Sequence, residues 1–282
     1  MPNERRCAQL AAWGSAWLAG SVAFDDVLDA VTGTGRHVGG PGFGPGPNPV
    51  GTALAEWKRA GATALVLALP VPGDVRGLAG PAEFRAAALT AGEAVFGRDG
   101  GLTVLPGRDT PSSAGRELIW HRAEVGELPP DPVSMADAEH DLAESIRDTA
   151  SLFARRGVTS WLSDIAPALS DARRAGERLH LPASHPPRGV RLVAQAERLS
   201  AVLTVVDSDS TGSLTARAVA EREEALAPLR LAVRRALLAG YNAVAEDLGR
   251  PVSPGAPVPG SSRPGSATHT PPGGRGGPAA GR

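Results

Sequence analysis

The spacing of apolar positions changes several times along this chain. Leu10, Trp13 and Trp17 recur three and four residues apart, which predicts a helix over 6–19. A second helix is expected over 22–31 and a short third one over 52–60. ATALVLALP (62–70) is a continuous apolar run of strand length, and reads as a buried strand. PAEFRAAALTAGEAVF (81–96) reads as a helix with Pro81 in its first turn. GLTVLP (101–106) and RELIWHRAEV (116–125) read as two more strands, with a Pro-Ser-Ser turn between them.

Beyond residue 130 the period is helical throughout. Ser134 and Asp137 form a capping-box-like start, and Met135, Ala138, Leu142, Ile146 and Phe153 mark one face up to Gly157. A helix over 163–179 follows, then LPASHPPR (181–188) as a turn. Leu192, Ala196, Leu199, Leu203 and Val206 predict a further helix. The last helix carries Leu226 to Leu248, with a kink expected at Pro228. The fold class is therefore α+β. A small mixed α/β domain (1–128) contains a Gly/Pro-rich loop at 32–51, and an antiparallel four-helix bundle (134–248) follows it. Residues 249–282 are Pro, Gly, Ser and Arg with almost no apolar anchors, and are expected to be a disordered tail.

Composition narrows the functional classes. The net charge is −1, and the tail holds Arg250, Arg263, Arg275 and Arg282 with no acid, which leaves −5 for the rest. A mildly acidic body is poorly suited to phosphates, and the tryptophans do not alternate with basic residues, so nucleic acid is an unfavoured partner. Cys7 is the only cysteine, which excludes an intramolecular disulfide and any multi-cysteine zinc site and fits a reducing, cytoplasmic setting. No apolar run reaches the roughly 20 residues that span a bilayer. Arg5-Arg6 followed by CAQLAAWGSAWLAG has the look of a short signal sequence, but its helical spacing favours a retained core helix.

The densest cluster of polar ligand types is DSDSTG, 207–212. Asp207, Asp209 and Thr211 occupy the first three ligand positions of an EF-hand-like calcium loop, and Gly212 fits its sharp turn. Position 12 of the loop is Ala218, where a bidentate glutamate is required, so any cation site here is weak. AVLTVVDSDST (201–211) also resembles the first motif of haloacid-dehalogenase-type phosphatases. That resemblance implies Asp207 as nucleophile and Asp209 as acid/base, in a large Rossmann-like domain with later acids for magnesium. The chain departs from that pattern, because only one more helix follows before the tail. As a helix connector the stretch is fully explained: Asp, Ser and Thr satisfy backbone groups, Gly212 turns the chain and Ser213 caps the next helix.

Other candidates are sparser. The 32–51 segment has glycine pairs but no Gly-Lys-Ser/Thr, and Val38 stands where a dinucleotide fingerprint needs glycine. It reads as a flexible loop with Phe43 as an apolar tip. His121 lies on a strand face with Ile119, Ala123 and Val125, and His140 shares a helical face with Glu144 amid acids. His180 and His185 flank a turn. The five tryptophans read as core. With no catalytic set and no cofactor expected, the leading expectation is a non-enzymatic interaction or regulatory protein with a protein partner. The alternatives are an enzyme or small-ligand protein with a site between the two parts, and a weak calcium-binding bundle.

Overall fold

Helix α1 (Arg6–Leu18) is buried nearly all round, with Cys7 through Ala16 shielded except for Gln9. Such a helix cannot lie on a surface, because it has no wide polar face to give to water. Its small residues explain how it fits. Gly14 lies so close to Leu54 and Leu65 that a Cβ there would stand 2.5 Å from a Leu65 methyl. Helix α2 (Phe24–Thr32) follows, with Asp26 accepting from the Ala23 amide at its start. Lys58 of α3 (Pro49–Arg59) stacks its ammonium 4.1 Å from the Trp17 ring.

The computed structural model describes residues 5–33, 35–107, 117–126, 133–156, 179–208 and 216–249. Five strands form one mixed sheet: β1 (Arg36–Gly39), β2 (Val66–Ala68), β3 (Ala94–Gly97), β4 (Gly100–Pro106) and β5 (Glu117–Glu124). Their spatial order is β1-β5-β4-β3-β2, with β1 parallel to β5 and every other pairing antiparallel. Leu67, Val95 and Leu102 lie opposite one another across three strands and face the α1 side, with Val104 and Trp120 further along. Ala68, Phe96 and Val125 face the other way, against Phe84 and Ala88 of α4 (Ala82–Ala91).

Two of these strands differ from the sequence reading. The helix expected to run to residue 96 ends at Ala91, because Gly92 takes a left-handed conformation (φ 75°) and stops it. The apolar AVF that follows becomes β3 and pairs tightly with β4 across a two-residue turn in which Asp99 has φ 61°. The segment 32–51, expected to be irregular, contains β1. Its glycines let the backbone lie directly on β5: the Gly40 N–H donates to the Trp120 carbonyl, and Arg122 N–H donates to Pro41. A Cβ at Gly42 would collide with the Arg122 carbonyl at 2.1 Å. Phe43 is not a free tip but packs against the main core.

The C-terminal part holds α5 (Met135–Arg156), α6 (Pro187–Ser208), α7 (Ala216–Tyr241) and α8 (Ala243–Gly249). The Ser134 hydroxyl accepts from the Asp137 amide and donates to its carboxylate, so the cap expected at the start of α5 is present. Nearly all of the helix expected over 163–179, and the 249–282 tail beyond Gly249, lie outside the described residues. α7 packs against both α5 and α6. At the α6–α7 crossing, Gly189 approaches Gly240 so closely that a Cβ would meet the Gly240 carbonyl at 2.9 Å. α7 runs unbroken through Pro228. That residue is exposed, as is Glu224, whose carbonyl it deprives of a donor, so water can satisfy the gap. The helix breaks instead at Asn242. One core joins the two parts: α1, Leu67 and Trp120 belong to the same buried cluster as Leu142, Val193 and Leu237.

Candidate functional site

The most unusual chemistry lies where α1 meets the C-terminal helices. Glu93 sits between the stop of α4 and the first residue of β3, and is 5 % exposed. Its carboxyl faces the first-turn N–H groups of Arg6, Cys7 and Ala8, groups that have no partner within their own helix. Its backbone carbonyl accepts the Thr103 hydroxyl at 2.7 Å, which fixes the residue in place. One carboxyl oxygen, Oε2, makes no close hydrogen bond. Burial pushes the carboxyl up to about 7, against the opposing pull of the Cys7 N–H and the Arg5 charge.

Around it stand three further groups. Arg5, at the α1 cap, donates to Glu197 of α6 at 3.2 Å and to the Ser200 hydroxyl at 3.3 Å. The phenol of Tyr241, near the end of α7, is raised by burial and by the nearby Glu197 carboxylate. The Cys7 thiol is raised by burial and then by Glu93, and its sulfur points at the Leu102 carbonyl. Such a thiol stays protonated and is a poor nucleophile. Sequence spacing gives no hint of this cluster, since its members come from positions 5, 7, 93, 197 and 241. The one available signal is an acid placed directly before an apolar strand, after a helix-stopping glycine.

The histidines fall apart from one another. His121 is half-buried on β5, where burial lowers it, and His140 is exposed on α5; no hydrogen bond or ring contact joins them among the described residues. His37, which the sequence did not mark, accepts from Trp120 Nε1 at 2.8 Å on Nδ1 and meets the Thr32 carbonyl at 3.0 Å through Nε2. Nε2 therefore carries the proton, and burial holds the ring neutral. His180 stacks on Trp13, whose indole N–H donates to the His180 carbonyl. His185 is buried and its Nε2 meets the Gly240 carbonyl at 2.9 Å, bracing the glycine crossing.

Of the calcium-loop candidates, Asp207 is described: it is exposed near the end of α6 and pairs with Arg230 of α7. Arg230 also holds Glu223 at 2.8 Å. Asp209 and Thr211 lie outside the described residues. Among the described residues no group of three His, Cys, Asp or Glu side chains is gathered as a metal site. An open cleft of about 450 Å³ lies beside α3 and the β3–β4 turn, lined by Trp57, Arg98, Asp99 and the Glu56–Arg122 ion pair. It lies wholly in the N-terminal part. No helix among the described residues is long and apolar enough to cross a membrane.

Taken together, these features define an α+β protein of two sequence segments sharing one core, with most of its buried polar groups committed to holding layers together. The chain belongs to the Rv1486c-like family: residues 7–135 match the N-terminal domain of Rv1486c-like proteins and residues 136–238 their C-terminal domain. It is 30% identical to the uncharacterized protein Rv1486c of Mycobacterium tuberculosis, over 83% of this chain and 95% of that protein. To the uncharacterized protein ML1804 of Mycobacterium leprae it is 28% identical, over the same shares. No solved structure matches the chain.

Proposed function

We propose that this protein is a non-enzymatic, cytoplasmic interaction or regulatory protein that docks a protein partner, with its helical part completed as a four-helix antiparallel bundle. The supporting observation is the loop after β2. Val71 and Val75 are 38% and 53% exposed, yet the loop that presents them is firmly held. The Arg234 guanidinium of α7 donates to the Leu69 carbonyl at 2.8 Å and pairs with Asp74, which Arg76 grips from the other side at 2.7 Å. Leu231, three residues before Arg234, is 41% exposed. Large apolar side chains on a braced surface favour docking, because little ordering entropy opposes it.

The test is native mass spectrometry of the full chain purified gently from its host, beside Val75→Asp and Leu231→Asp variants and an Asp25→Ala control. The expected result is a protein partner that both apolar variants lose and the control keeps. A monomeric, partner-free wild type overturns the reading. A bound organic mass in its place, lost on substituting Arg98 beside the cleft, favours the small-ligand alternative.

A further inference from the structure

We propose that Glu93, set between the first turn of α1 and the Arg5–Glu197–Tyr241 cluster, is a proton-responsive latch that ties the attachment of α1 to the surrounding pH. From α1 the groups facing Glu93 are Arg5 and Cys7; α7 supplies Tyr241, with Glu197 of α6 behind it, and β4 offers only the neutral Thr103. Among the described residues the cation that acts on Glu93 is Arg5, and it is already paired with Glu197. With a proton on Glu93 the site is balanced. Without it, two carboxylates share one guanidinium in a place where Glu93 has almost no access to water and its Oε2 has no hydrogen-bond partner. The helix N-terminus softens this imbalance but does not abolish it.

The direction follows from linkage. A carboxyl that binds its proton more tightly in the folded state than when exposed makes the closed site most favoured at low pH. That advantage declines as pH rises above the ordinary value of 4.5 and is lost by the time pH passes about 7. The latch therefore holds α1 against α6 and α7 in mildly acidic conditions and eases it in alkaline ones. The latch uses different side chains from the docking loop, which is held by Arg234, Asp74 and Arg76.

The experiment uses the full chain, labelled with ¹³C at glutamate carboxyl carbons and ¹⁵N at backbone amides. The Glu93 carboxyl should titrate with a midpoint near 7. The amides of Arg6, Cys7 and Ala8 should shift with the same midpoint. Opening of α1, read from hydrogen exchange corrected for intrinsic rates, should rise about tenfold between pH 6 and pH 8. Glu197→Gln, which frees Arg5, should move the midpoint down. Glu93→Gln should flatten the pH dependence, and if that variant does not fold the wild-type titration still decides. A Glu93 midpoint below about 5.5, or α1 protection that does not change across this range, overturns the proposal.

Discussion

The side-chain amide of Asn242 hydrogen-bonds both backbone groups of Leu67: Oδ1 accepts the Leu67 N–H at 2.7 Å and Nδ2 donates to the Leu67 carbonyl at 3.0 Å. β2 is an edge strand, and this single side chain stands in for the neighbouring strand it lacks. The geometry exists because the chain breaks at Asn242, between α7 and α8. Asn242→Ala leaves two partly buried backbone groups unmet and should cost about 2 kcal/mol. Urea unfolding should show a lower midpoint at constant m-value. Asn242→Asp keeps the acceptor and loses the donor, and should also destabilise. A midpoint unchanged in Asn242→Ala would show that water replaces the amide without loss.

Gly97 leaves room for the Trp57 ring, and a Cβ there would stand 2.5 Å from it. Gly97→Ala should therefore cost about 1–3 kcal/mol by overpacking. Gly44 has nothing within 4 Å of its notional Cβ and serves as the control. Equal thermal midpoints for the two alanine variants would contradict this account of the β3–β4 turn.

The brace on the Val71–Val75 loop sets an acid limit. The side-chain hydrogen bond from Arg76, supported by Arg234, holds the Asp74 carboxyl far below the usual carboxylate range. A depressed carboxyl contributes stability above its unfolded value of about 3.8, and that contribution is lost as pH falls further. Asp74→Asn should lower stability at pH 7 and show a shallower decline below pH 4 than the wild type. Arg234→Ala should be the harsher change, about 1–3 kcal/mol, since it also strands the Leu69 carbonyl while Arg76 still holds Asp74. Denaturant titrations at pH 3, 4 and 7 separate these outcomes.

Asp207 and Arg230 form an exposed pair between α6 and α7, so Arg230→Ala should change stability by less than about 1 kcal/mol. Millimolar calcium should leave the melting temperature unchanged, because a folded-state ligand must raise it. A calcium-dependent rise that Asp207→Ala abolishes would establish a cation site in the DSDSTG stretch.

Periodic elements were legible from sequence. α1, α2, α5 and the strands around Leu102 and Trp120 follow from apolar spacing, and the Ser134 cap from its hydroxyl and its acid three residues on. β3 was not, because Ala-Val-Phe after an alanine-rich helix satisfies either period and only Gly92 marks the change. β1 was hidden because its glycines serve close approach to β5, a relation between residues about 80 apart in sequence. The Glu93 cluster was invisible for the same reason on a larger scale. Arg5 and Glu197 are 192 positions apart, and no local pattern encodes their meeting.

That distance shapes how the chain is born. α1 packs against α2 and the sheet, which are made soon after it, but the Arg5 end of the helix meets Glu197 and α7, which are made 192 or more residues later. At roughly 5–20 residues per second that one side of the helix waits on the order of ten seconds or more for its partners. A chain halted before α6 would therefore leave the Arg5 end of α1 without the Glu197 and Ser200 partners that tie it to the helical part.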